Sequence, residues 1–72
     1  MQVFKKTIMG KQFDFVCEVM NTRSGFKHVC TVVNENGYEV LKTKICYYNR
    51  TWEPYEFASV INKAEAKLME GK

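Results

Sequence analysis

Seventy-two residues fit one domain, and a composition of 46% hydrophobic and 14% aromatic residues, with one proline and four glycines, excludes an intrinsically disordered chain. The formal net charge of +3 excludes an acidic decoy that imitates DNA and is lower than strong nucleic-acid binders usually carry. A chain this short buries only about 60% of its unfolded surface, so a thin core and a use for a second subunit are expected from the outset.

The first segment, Met1-Gln2-Val3-Phe4-Lys5-Lys6, has no apolar signal region, and no run approaches the roughly 20 apolar residues of a membrane span. No membrane partner is expected. The location expected is cytoplasmic, in a bacterial host cell. Three turn signals then divide the first two thirds of the chain. Gly10-Lys11 suits a two-residue turn with glycine first, Thr22-Arg23-Ser24-Gly25 a four-residue loop, and Asn36-Gly37 a hairpin turn in which both residues tolerate positive φ. They predict strands over 2–9, 12–21, 26–34 and 38–48.

Letting each turn set its hairpin puts Ile8 opposite Phe13 and Phe4 opposite Cys17. The second hairpin sets Cys17 against Cys30, Phe15 against Val32 and Val19 against His28. The third sets Val32 against Leu41, Cys30 against Thr43 and His28 against Ile45. Side chains alternate with period two, so one face collects Phe4, Ile8, Phe13, Phe15, Cys17, Val19, Phe26, Cys30, Val32, Leu41, Ile45 and Tyr47. A slip of one residue scatters that face.

From Phe57 the apolar residues fall at Phe57, Val60, Ile61, Ala64 and Leu68, one stripe of an amphipathic helix. Thr51 suits the N-cap, Pro54 the first turn and Gly71 the stop, with Glu53 and Glu56 near the positive end and Lys63 and Lys67 toward the negative one. The fold class expected is therefore a single α+β domain over 1–72: a four-stranded antiparallel meander sheet with one C-terminal helix packed on one face, ββββα. At roughly 1.5–3 kcal/mol per buried large apolar side chain, that docking is the main stabilising event.

Nothing in the chain specifies a reaction, and an enzyme is not expected. The cysteines are Cys17, Cys30 and Cys46; none forms a C-x-x-C pair, and the single His28 completes no zinc site with them at these spacings. No metal and no cofactor are expected. The odd count fits a reducing cytosol. Cys30 and His28 share a strand face about 6–7 Å apart, which permits a thiol–imidazole pair. Burial of both as core residues is the stronger reading. Asp14 and Glu18 lie four residues apart on one strand, too far to act on one bond, and no phosphate-loop, dinucleotide or H-E-x-x-H motif is present.

Two surfaces suit a partner. The outer sheet face mixes lysines with a valine cluster: Val3, Lys5, Thr7, Asp14, Val16, Glu18, Met20, Lys27, Val29, Thr31, Val33, Val40, Lys42, Lys44, Cys46 and Tyr48. Either it is solvated, with β-formers chosen for propensity, or it is a contact patch that Lys5, Lys27, Lys42 and Lys44 steer toward an acidic region. The second surface is the junction from Tyr47 to Phe57, where aromatics accompany one arginine. Tyr48, Arg50, Trp52 and Tyr55 are the candidate anchors, since Tyr, Trp and Arg dominate interaction hot spots. The structural account of the same segment has Trp52 and Phe57 plugging the open end of the core.

The stretch Tyr47-Tyr48-Asn49-Arg50-Thr51-Trp52-Glu53, followed by Tyr55-Glu56-Phe57 and Ser59-Val60, resembles short uncharacterised proteins of bacteriophages and prophages of Gram-positive bacteria. The resemblance covers about 15 residues and the overall size. It implies an accessory protein that acts by binding and blocking or modulating a host protein or complex, in the manner of host-defence inhibitors such as anti-CRISPR proteins, with no catalytic residues. Four antiparallel strands and a helix is also the element order of single-stranded-DNA-binding domains of the transcriptional-coactivator type, which dimerise. The alternative reading is accordingly a single-stranded nucleic-acid binder that pairs with a second copy of itself.

Overall fold

The computed structural model describes residues 1–48 and 56–70. Strands β1 (Gln2–Ile8), β2 (Lys11–Asn21), β3 (Phe26–Asn34) and β4 (Glu39–Tyr47) form one antiparallel sheet in the order β1-β2-β3-β4, followed by helix α1 (Ala58–Glu70). This is the expected ββββα meander with its helix on one face. No described helix is long and apolar enough to cross a membrane.

The first hairpin differs from expectation. Its two-residue turn is Met9-Gly10, with φ of 54° and 79°, and not Gly10-Lys11. Two successive positive φ values give the turn whose twist matches the strands, and glycine is then needed at the second position as much as the first. The turn moves back by one residue, so each pairing moves by two. Phe4 faces Phe15, Ile8 faces Lys11 and Gln2 faces Cys17, where Phe4–Cys17 and Ile8–Phe13 were expected. An even shift leaves every side chain on its original face.

The second hairpin has the expected register, Cys17 against Cys30 and Val19 against His28. Its loop runs from Thr22, whose N–H donates to the Gly25 carbonyl at 3.0 Å. A Cβ on Gly25 would collide with the Tyr47 carbonyl oxygen, so glycine is needed there for close backbone approach. In the third hairpin the Gly37 N–H donates to the Asn34 carbonyl at 3.0 Å, and Gly37 has φ of 85°. The Asn34 side-chain oxygen accepts from the Asn36 and Tyr38 N–H groups, both at 3.0 Å. The turn thus holds one residue more than a two-residue Asn36-Gly37 turn. A register shift beyond Val32, where Val33 faces Glu39, restores the expected Val32–Leu41, Cys30–Thr43 and His28–Ile45 pairs.

Helix α1 starts later than a Pro54 first turn requires. The Ile61 N–H donates to the Phe57 carbonyl at 3.0 Å, which makes Phe57 the N-cap residue. Glu56 precedes the helix, whose first turn carries no acid, while Lys67 sits in the last turn as expected. Thr51, Glu53, Pro54 and Gly71 lie outside the described residues. Val60, Ile61 and Ala64 are buried, and α1 packs against β3 and β4. Together with Ile8, Phe15, Cys17, Cys30, Val32 and Phe57 they form the core, edged by the half-buried Phe4, Phe13, Val19, Leu41, Ile45 and Leu68. Two lysines tie the layers. Lys6 pairs with Glu65 of α1 at 2.9 Å, and Lys63 of α1 donates to the Lys44 carbonyl at 3.0 Å.

Candidate binding surface

The helix covers one face of the sheet, so the side chains that alternate with the core point away from it. On that outer face, cross-strand pairing sets Glu18 beside Val29 and Val29 beside Lys44. The next row toward the β3–β4 turn is Val16, Thr31 and Lys42; the row in the other direction is Met20, Lys27 and Cys46. Lys27, Lys42 and Lys44 therefore come together, and with Met20 and Val29 they line a shallow hollow of about 340 Å³. Lys42 and Lys44 are exposed and Lys27 is half-buried.

Lys5 does not join them. It lies on β1 opposite Asp14 of β2, with β2 between it and Lys27, and β2 and β3 between it and Lys42 and Lys44. Tyr48 follows β4 and is 77% exposed. Arg50, Trp52 and Tyr55 lie outside the described residues. Expecting an open valine cluster also needs correction. Val3 and Val40 are exposed, but Val16 and Val33 are half-buried and Val29 is only 7% exposed. Val29 lines the same hollow as Met20, Lys27, Lys42 and Lys44, and long lysine stems can cover apolar surface while their polar ends stay in water. Val29 and Met20 thus belong to the hollow as its floor and wall. Side-chain alternation already placed both on the lysines' face; the burial of Val29 is what it did not show.

Charge is uneven across this surface. Lys27, Lys42 and Lys44 lie on β3 and β4, with Glu39 at the start of β4 opposite Val33, and Glu18 and Asp14 lie on β2. Cys46, opposite Lys27, is an exposed free thiol.

The residues weighed for catalysis lie on the inner face. Cys17 and Cys30 face each other, both fully buried and free. Burial raises the Cys17 pKa, partly offset by its hydrogen bond with Cys30. Burial, with the adjacent Cys17, pushes the Cys30 thiol up to about 12. A thiol held protonated is a poor nucleophile at neutral pH. His28 is 2% exposed within an aromatic cluster, 5.3 Å from the Phe26 ring, 5.0 Å from Tyr47 and 4.7 Å from Phe57. Tyr47 also stacks on Phe26 at 5.0 Å, and Phe57 meets Phe4 edge-on at 6.4 Å. Tyr47 and Phe57, the described ends of the aromatic junction, are thus packing residues. Among the described residues no group of three or more His, Cys, Asp or Glu could hold a metal ion.

Lys6 falls on the inner face, and its role escaped the sequence reading. A lysine between Phe4 and Ile8 breaks the apolar alternation, and its partner Glu65 is recognisable only once the helix is placed. Beside it, Gln2, Phe4, Lys6, Phe57, Ile61 and Asn62 help line an open cleft of about 650 Å³ between β1 and the start of α1. Comparison with protein-family models, with curated proteins and with solved structures finds no match.

Proposed function

We propose that this chain is a non-catalytic binding protein of the phage accessory type, which acts in the bacterial cytoplasm by docking the outer face of β3 and β4 on a host macromolecule and blocking or modulating it. One observation carries the reading: the helix occupies the inner face, and the outer face presents three lysines around an apolar floor. A cluster of like charges on a sheet face the helix leaves uncovered suits recognition of an acidic partner. Steric occlusion is the mechanism, with Lys42 and Lys44 guiding encounter with an acidic region and the exposed Tyr48 just past the end of β4.

The test compares captures from a Gram-positive lysate by the wild-type chain, a Lys42→Glu/Lys44→Glu variant and a Lys11→Glu/Lys67→Glu control, each with and without nuclease. A captured species retained by the control and lost by the first variant supports the reading. Equal capture by all three overturns it. A species that disappears with nuclease identifies the partner as nucleic acid, the alternative that the same lysines would serve.

A further inference from the structure

We infer that the hollow walled by Met20, Lys27, Val29, Lys42 and Lys44 takes a carboxylate side chain presented by an aliphatic protein segment; this rests on the binding role proposed for the same face. The lysines supply the first half of the recognition. Lys42 and Lys44 alternate along β4, so their stems leave the same face about 7 Å apart. Lys27 lies one row further along on β3, opposite Cys46. Three lysines, each ending in a compact charge with three donors, thus line one small depression. A carboxylate that enters it is approached from several sides.

The floor supplies the second half, and it separates protein from nucleic acid. Single-stranded nucleic acid is held by aromatic platforms on which bases stack. Among the described residues the hollow is lined by Met20, Lys27, Val29, Lys42, Thr43 and Lys44, and none of these carries a ring. Its apolar surface is a valine and a flexible thioether, which match the aliphatic side chains beside an acidic residue in a peptide.

Charge placement points the same way. Glu18 is the cross-strand partner of Val29, one strand spacing of about 4.8 Å from it. Asp14 lies on the same strand opposite Val33. A phosphate chain crossing the sheet from the lysines would meet those carboxylates at once. A segment carrying one or two acids followed by aliphatic residues places negative charge beside Lys42 and Lys44 and grease over β3, clear of Glu39 at the start of β4 and of the β2 acids.

Amide shifts of the isotope-labelled protein, titrated with three probes, test this. The probes are a short peptide of alternating glutamate and leucine, the same peptide with glutamine for glutamate, and an oligothymidylate. The acidic peptide is expected to move the amides of Met20, Lys27, Val29, Lys42 and Lys44 and to bind more tightly than either other probe at physiological salt. Lys42→Glu/Lys44→Glu should weaken it by about tenfold, as two exposed charge pairs of roughly 0.5–1 kcal/mol each imply. Lys11→Glu/Lys67→Glu should leave it unchanged.

Equal binding of the glutamine peptide would overturn the carboxylate assignment. Tighter binding of the oligothymidylate, with a log–log salt slope near −2 for three phosphate contacts, would overturn the protein class while leaving the face in use. If no probe moves these amides, the inference fails, and the lysate captures decide separately whether the face binds at all.

Discussion

Alkaline pH should weaken this domain through a single buried thiol. Cys30 has no exposed surface, and its pKa rises from an ordinary 9.0 to about 12 because burial, and then the neighbouring Cys17, disfavour the thiolate. A folded-state value above the unfolded one means that the native chain holds the proton more tightly. The stabilisation is then fully present below about 9 and is lost as the pH climbs toward 12. Each unit in that window is worth about 1.4 kcal/mol. Midway through it, one and a half units above the unfolded value, the loss from this group is roughly 2 kcal/mol. Lysines and tyrosines titrate in the same range, so the comparison is with a Cys30→Ala variant, which shares them. Cys17 is raised as well, chiefly by burial, and is present in both proteins. Urea unfolding followed by circular dichroism at neutral pH and in mid-window should show the wild type losing about 2 kcal/mol more than the variant. Parallel losses would refute the reasoning, because they would place Cys30 in contact with water.

Two substitutions test the two sides of the core. Val60→Ala removes buried apolar volume at the helix–sheet contact and should cost about 2 kcal/mol in denaturant unfolding, whereas Val40→Ala on the exposed side should stay within about 0.5 kcal/mol; equal costs would mean that α1 does not pack as described. Thr43 is 4% exposed and its hydroxyl finds no hydrogen-bond partner among the described residues, so Thr43→Val should raise thermal stability by about 1 kcal/mol, and a loss would show that the hydroxyl is satisfied.

The faces of this sheet were more legible than its turns. Gly10 marks a hairpin, but its place in the turn depends on whether Met9 or Lys11 accompanies it, and Met9 takes a φ of 54° that its side chain gives no hint of. Because that choice changes the pairing by two, Phe4 and Phe15 stay inside under either turn. At Asn36-Gly37 the turn is longer by one residue, and the Val32/Val33 irregularity absorbs it. Two local deviations cancel, so Cys30 still meets Thr43. The stripe from Phe57 to Leu68 was readable from its spacing, while the helix start was not. Phe57 is N-cap and core residue at once, and an aromatic carries no capping signal. On the outer face, period two brought Lys27, Lys42 and Lys44 together and put Lys5 on the same side. Strand order then set Lys5 apart, because alternation names the face of a residue and says nothing of its distance across the sheet.

Val29 links the fold to the proposed binding. It is buried on the face that α1 does not cover, and among the described residues the second layer lies on the other side. A valine in that position ordinarily waits for a layer above it. Here Met20 and three lysines line the hollow around it, and those lysines carry the charges that would meet a partner. Such a lining is cheap to rearrange, since an exposed lysine gives up little packing when its stem swings aside. A partner that laid aliphatic side chains over Met20 and Val29 would complete the missing layer and satisfy the displaced ammonium groups in the same step. Val29 is already buried in the free chain, so what a partner would add is cover for the half-buried Val16 and Val33, the exposed Met20 and the lysine charges around them.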